Sequence, residues 1–222
     1  MICIPIIAKT TGEAREKIAR ANPMADMLEF RLDVMESFRV EEMVRVASKP
    51  VIVTHRSIKE GGKGVADDET RTRYLLNAIE KGADFVDVEY SMPQEFRRRF
   101  LEGRGSFGVI ISTHLLDGTP SRKKLEDIFR TLAATGADIV KIVTRARAPE
   151  DNLRVLDLIP IAQKAVVKII AFCMGPMGRM SRIASPLLGG YLTFASLEQG
   201  QESADGQIPV IQMKDILKAL RV

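Results

Sequence analysis

The chain has 222 residues, 45% of them apolar, and carries 33 basic against 29 acidic residues for a net charge of +4. The densest basic run, Arg97-Arg98-Arg99, lies between Glu95 and Glu102, and there is no Trp and only 5% aromatic residues; this describes a solvated helix face and excludes an extended base-stacking surface for nucleic acid. The two cysteines, Cys3 and Cys173, sit alone in separate apolar runs, which excludes a disulfide framework and a cysteine zinc site.

Residues 2–7, ICIPII, open the chain as a strand. No basic segment precedes this short apolar stretch, so a signal peptide is not expected. Further short runs rich in Val and Ile follow at 27–31, 51–55, 85–89, 108–113, 139–143, 166–172 and 191–194. Between them apolar residues recur at helical spacing, as with Leu75, Leu76 and Ile79 in 71–79, and Ile128, Phe129 and Leu132 in 125–134. No apolar run reaches the roughly 18 residues needed to span a bilayer, and no Pro/Gly/Ser-rich linker divides the chain. A single cytoplasmic domain over 1–222 is expected, with no membrane partner. Eight strands alternating with amphipathic helices imply a parallel sheet covered by helices. The length suits a closed (β/α)₈ TIM barrel, for which about 250 residues are typical. The alternative is a doubly wound open sheet. No G-x-G-x-x-G follows the first strand, which removes the main support for its dinucleotide-binding form.

A quasi-repeat sharpens the register. Ala25-Asp26, Ala83-Asp84 and Ala137-Asp138 each lead into a strand, and Gly82 and Gly136 precede the last two as helix stops. Aligned on the Asp, the segments are strands two, four and six, which puts Glu29, Asp87 and Lys141 at equivalent positions, with Arg31 and Glu89 one layer further on. The odd strands align as well, placing Arg56 and His114 at equivalent strand ends. Strand side chains alternate between faces, so these charged groups line the barrel interior while their apolar neighbours meet the helices. A purely structural core would not collect unpaired charges, because taking each out of water costs several kcal/mol. The bland alternative is an ion-pair network, for instance Arg31 with Glu89.

Lys141 lies between Val140 and Ile142 with no acidic neighbour in its run. An amine in an apolar pocket keeps its lone pair available for attack on a carbonyl; the competing reading is a barrel lysine paired with Asp87 or Glu29. Lys168 is the rival lysine but comes early in its strand, toward the inactive face. His114 closes strand five beside strand six, as a candidate proton shuttle, whereas His55 has the opposite parity and should face outward. After strand seven, Ser181 could cap a short helix and Arg182 could offer a bidentate fork to a carboxylate or phosphate. The polar stretch 196–207, with glycines at 200 and 206, suits a loop over the site mouth.

Six motifs in order then resemble one family: Glu29-Phe30-Arg31, Arg56-Ser57-x-Lys59-Glu60-Gly61-Gly62, Ser112-Thr113-His114, Gly136-Ala137-Asp138-x-x-Lys141, Ser181-Arg182 and Ser203-Ala204-x-Gly206-Gln207. The chain resembles the type I 3-dehydroquinate dehydratases across nearly its whole length. The resemblance implies a Schiff base between Lys141 and the ketone of 3-dehydroquinate, with His114 removing one proton and returning another to the departing hydroxyl. It implies that Glu60 orients His114 or a hydroxyl, that Arg182 binds the substrate carboxylate, and that Glu29, Arg31 and Arg56 hold ring hydroxyls. Ser203 and Gln207 would reach in from the lid. It further implies no metal, no organic cofactor and a homodimer. Two residues depart from the pattern. Pro5 stands where a polar contact is expected, and Asp205 replaces a proline in the lid, which should loosen it.

Three other readings stay open on residues alone. A class I aldolase also uses a barrel lysine imine. A metal-dependent isomerase or lyase would use Glu29, Asp87, Glu89 and His114 as ligands. A binding module would carry the interior charges only as an ion-pair network.

Overall fold

The computed structural model describes residues 1–102 and 105–220; the expected domain end at 222 lies outside them. Among these residues the strands are β1 Ile2–Ile6, β2 Met27–Arg31, β3 Val51–Thr54, β4 Phe85–Glu89, β5 Gly108–Leu115, β6 Ile139–Arg145, β7 Lys168–Met174 and β8 Thr193–Phe194. The helices are α1 Thr11–Ala21, α2 Val40–Val46, α3 Asp68–Glu80, α4 Gln94–Leu101, α5 Arg122–Ala133, α6 Glu150–Leu156, α7 Leu158–Lys164, α8 Arg179–Leu187 and α9 Val210–Leu220. The sheet runs β7-β6-β5-β4-β3-β2-β1-β8, with every pair parallel. Tyr191 N donates to Ile169 O at 2.7 Å, which brings the approach to β8 against β7 and nearly closes the ring. The fold is the expected (β/α)₈ barrel rather than an open sheet. No described helix is long and apolar enough to cross a membrane.

The Ala-Asp repeat has a physical cause visible at the barrel's lower rim. Asp26 accepts a hydrogen bond from Ile2 N, Asp84 from Val51 N and Asp138 from Val109 N, each at 2.8 Å. In return the backbone N–H of each Asp donates to the carbonyl of that same partner residue, at 3.0–3.1 Å. These reciprocal pairs pin the start of one strand to the start of the strand before it. They also satisfy backbone donors that would otherwise end the ladder unpaired. Gly82 and Gly136 adopt φ of 92° and 77°, the left-handed conformation that closes a helix without a Cβ clash.

Parity then sorts the side chains. Leu28, Phe30, Val53, Val86, Val88, Val140 and Ile142 face outward into the core shared with the helices. Cys3, Met27, Ile52, Ile110, Ile139 and Ile170 form a separate apolar plug inside the barrel. On β2 to β6 the polar interior side chains Glu29, Thr54, Asp87, Ser112 and Lys141 lie one residue pair further along, on the carboxyl side of the plug. The boundaries differ from the sequence reading mainly at the C-terminal ends. β5 and β6 each run two residues beyond 113 and 143, and β7 spans Lys168–Met174 rather than 166–172. Of these terminal residues only His114 and Met174 line the cavity at the carboxyl end of the barrel; Leu115 and Cys173 pack on the outer core, and Thr144 bonds Thr119 and Cys173.

Candidate active site

At the carboxyl end of the strands one cavity is lined by all nine residues singled out from the sequence: Glu29, Arg31, Arg56, Glu60, His114, Lys141, Arg182, Ser203 and Gln207. Phe172, Met174, Val143 and Phe194 supply its apolar wall. Interior alternation in β7 was illegible because both faces of that strand are apolar, so Phe172 and Met174 carried no signal.

Lys141 is 4% exposed, near the centre of the ring. The expectation of an apolar setting is corrected here. Nζ donates to Asp87 Oδ2 at 2.8 Å, lies 3.7 Å from Glu29 Oε1, and sits 4.5 Å from the centre of the Phe194 ring. Neither acid is near Lys141 in sequence; the barrel delivers them from β2 and β4. Lys168, by contrast, starts β7 as an exposed residue, with its ammonium over the Tyr191 ring.

Asp87 joins two cations. Arg56 Nη2 donates to its Oδ2 at 2.8 Å, and Ser112 Oγ donates to its Oδ1 at 2.6 Å. Burial alone would raise this acid, but Arg56 and Lys141 outweigh burial and hold its carboxyl well below the usual carboxylate range. Arg56 also donates to Glu89 Oε1 at 3.2 Å and to Ser112 Oγ at 2.9 Å. The pairing of Arg31 with Glu89 is not found. Arg31 instead grips Asp33 through Nε and Nη2 at 2.8 and 2.9 Å, because Asp33 lies in the turn just past β2 and curls back over the strand end.

His114 and Glu60 form a defined pair. Glu60 Oε2 lies 2.9 Å from His114 Nδ1 and accepts from His114 N at 3.0 Å, while Ser91 Oγ donates to Glu60 Oε1 at 2.6 Å. An oxygen that already accepts a backbone N–H favours an Nδ1–H tautomer, leaving Nε2 as the acceptor. Burial, then Arg56 and Lys141, push the imidazole well below its ordinary value, which favours the neutral ring. Burial, partly opposed by Arg56, lifts Glu60 to about 7. His55 takes the other face as expected, stacked 5.6 Å from Tyr74 of α3.

Arg182 is 1% exposed, lies 4.5 Å from the Phe172 ring and donates through Nη2 to Asp205 O at 3.2 Å. Its Nε has no hydrogen-bond partner among the described residues, which leaves a donor for an anion. Burial draws its pKa down to about 10, still cationic at neutral pH. Ser181 does not cap a helix. It lies inside α8, where Oγ accepts from Cys173 N and donates to Gly178 O, both at 2.8 Å. That bond ties α8 to β7 and so aims Arg182.

The lid is closed on itself and on the barrel. Gln207 accepts from Ser203 N at 2.8 Å and donates to Ser203 Oγ at 2.9 Å. Asp205, expected to loosen the loop, pairs with Arg145 at 3.0 Å, and its carbonyl accepts from Gly175 N at 3.1 Å. A Cβ on Gly206 would lie 2.2 Å from Gly175 O, so only glycine allows this approach. Pro5 is buried beside Glu29 in the β1–β2 register and is not among the residues lining the cavity.

Residues 2–222 match the family model described as type I 3-dehydroquinase. The chain is 34% identical to the 3-dehydroquinate dehydratase of Methanocaldococcus jannaschii, with 99% of each covered. It is 35% identical to the bifunctional 3-dehydroquinate dehydratase/shikimate dehydrogenase of Arabidopsis thaliana, where it spans all of itself but 37% of the plant protein. Among solved structures, type I 3-dehydroquinate dehydratase from Clostridium difficile, crystallised with covalent modified comenic acid, superposes with a TM-score of 0.88 at 26% identity, covering 99% of this chain and 91% of that one.

Proposed function

This chain belongs to the type I 3-dehydroquinase family, and from that premise we propose that it eliminates water from 3-dehydroquinate through an imine on Lys141. The observation carrying this reading is one buried lysine held between Asp87 and Phe194, facing the same cavity as a histidine whose neutral form is favoured. With those partners on two sides of Nζ, the cavity is the direction left for a carbonyl.

Lys141 gives up one proton of its ammonium and adds to the C3 ketone as the amine; that proton returns to the carbinolamine oxygen, which leaves as water to give the iminium. His114 Nε2 then takes the C2 proton, and the C–H electron pair flows into the iminium as an enamine. As those electrons return, the C1–O bond breaks and the same imidazolium protonates the departing hydroxyl, a syn elimination. Hydrolysis of the resulting imine releases 3-dehydroshikimate and restores Lys141. The iminium stores the carbanion's charge, which is the role other lyases give to a metal or organic cofactor. Glu60 holds the ring in the Nδ1–H tautomer and stabilises the imidazolium between the two transfers. Glu29, Arg31 and Arg56 bind ring hydroxyls, with Ser203 and Gln207 above them. The reading extends to a single domain over 1–222, a homodimer, a cytoplasmic setting and a place in chorismate biosynthesis.

Borohydride added with 3-dehydroquinate is expected to inactivate the protein and add the reduced substrate's mass to the peptide holding Lys141. Label on Lys168, or an unmodified protein, would overturn the proposal; chelators should leave the rate unchanged.

Arg182 is the proposed carboxylate contact. Arg182→Ala should weaken substrate binding by about 1.5–3 kcal/mol, the range for a hydrogen bond to a charged group. Methyl esterification of the substrate should harm the wild type more than the variant. Equal losses would show that Arg182 does not meet the carboxylate.

A further inference from the structure

We propose that Arg71, a residue of α3 outside the cavity, is a positioning residue: through Glu89 and the His55 carbonyl it fixes Arg56 against Glu60 and so governs the Glu60–His114 pair. The inference rests on the reading of His114 as the proton shuttle.

Arg71 lies in the first turn of α3, which Asp67 caps by accepting from Thr70 N at 2.8 Å. A long cation in that turn would ordinarily extend into water, yet Arg71 is 4% exposed. Its guanidinium runs between the helix and the barrel. Nε and Nη2 donate to His55 O at 3.2 and 3.1 Å, and Nη1 donates to Asp68 Oδ1 at 2.8 Å. Nη2 also forms an ion pair with Glu89 Oε2 at 2.7 Å, a contact of charge without hydrogen-bond geometry. The other oxygen of Glu89 accepts from Arg56 Nη1 at 3.2 Å and from Ser57 N at 2.8 Å. Arg71 therefore grips Arg56 twice, by the backbone just before it and by the carboxylate that its side chain bonds.

The charges explain why a second arginine is needed. Glu60 is faced by Arg56 from the end of β3 at 3.8 Å, by Asp87 and Glu89 from β4, by Ser91 just beyond it and by His114 from β5. His114 also feels Lys141 and Arg31. Arg56 alone already serves Asp87, Glu89 and Glu60. Without Arg71, Glu89 would keep a buried charge only partly neutralised, and the potential at Glu60 would turn more negative. Glu60, already lifted to about 7 by burial with Glu89 contributing, would rise further, and His114 would also hold a proton more readily. Both changes have one sign. The acid limb of kcat/KM, below which the pair is protonated and the base is lost, must move to higher pH.

The test compares pH profiles of kcat/KM for the wild type, Arg71→Met, Arg71→Lys and the double variant Arg71→Met/Glu89→Gln. Alongside them, the His114 ring signals are titrated by NMR without substrate; with two histidines in the chain, they are readily assigned. Arg71→Met should raise the acid limb by about one pH unit. The corresponding loss is about tenfold below the limb and little on the alkaline plateau. The His114 ring titration should move in the same direction, and this readout depends on the ion chain and not on the reaction. Arg71→Lys should return most of the shift. The double variant removes both charges, so no unpaired carboxylate threatens folding, and its limb should lie at or below that of the wild type. Superposed limbs and ring titrations for wild type and Arg71→Met would overturn the inference. So would a shift in Arg71→Lys as large as in Arg71→Met, or a double variant whose limb stays raised.

Discussion

Lys141→Ala should lose the trapped adduct and about 10⁴–10⁶ in turnover, the loss expected when the nucleophile of a cooperating unit is removed. In the proposed mechanism, loss of the imine leaves no electron sink for the carbanion at C2, and His114 then has no acidified proton to take. The variant should still fold. Breaking a buried pair costs about 3–5 kcal/mol when one charge is left alone, but Asp87 keeps Arg56 at 2.8 Å and Ser112 at 2.6 Å. A thermal melt on the same preparation separates lost chemistry from lost structure. Turnover within tenfold of the wild type in a folded variant would place the nucleophile elsewhere.

His114→Ala should behave differently, because in the proposed mechanism the imidazole moves protons and does not attack carbon. The variant should still add substrate mass at Lys141 and then stall. General acid–base assistance is worth about 10²–10⁴-fold, and one residue here serves two transfers, so at least that loss is expected in kcat. The quantity to measure is trapped adduct per active site at saturating substrate. The double variant Lys141→Ala/His114→Ala should cost little beyond Lys141→Ala alone, since groups acting as one unit are not additive. Near-wild-type turnover in His114→Ala would rule it out as the shuttle.

Much of the site's membership was legible one residue at a time. Glu29, Arg31, Asp87, Glu89 and Lys141 are charges at inward parity in strands that otherwise read as core, and burying such groups needs a reason. His114 was legible from its place at a strand end. Phe172 and Met174 were not, because apolar residues on both faces of β7 erase the alternation that separates inside from outside. Arg71 was read only as the start of a helix, since nothing local distinguishes a solvated arginine from one turned inward.

Closure of the sheet into a barrel, through β1 with β8 and Tyr191 N with Ile169 O, was decided by the structure. The sequence by itself determined the strand–helix alternation and the parity of most strands. These follow from local, repeated features: period-two strands, helical spacing between them, glycines that end helices and an Asp that begins alternate strands. Each acts over a few residues or between adjacent strands, as when Asp84 bonds Val51 N. Which charge meets which was decided only by the tertiary structure. Lys141 with Asp87, Arg56 with Asp87 and Glu89, His114 with Glu60 and Arg71 with Glu89 join positions brought together by closure of the sheet and the path of the loops. Pairing energy falls steeply with distance and rises with burial, so a single strand's displacement would exchange partners while leaving every local pattern intact.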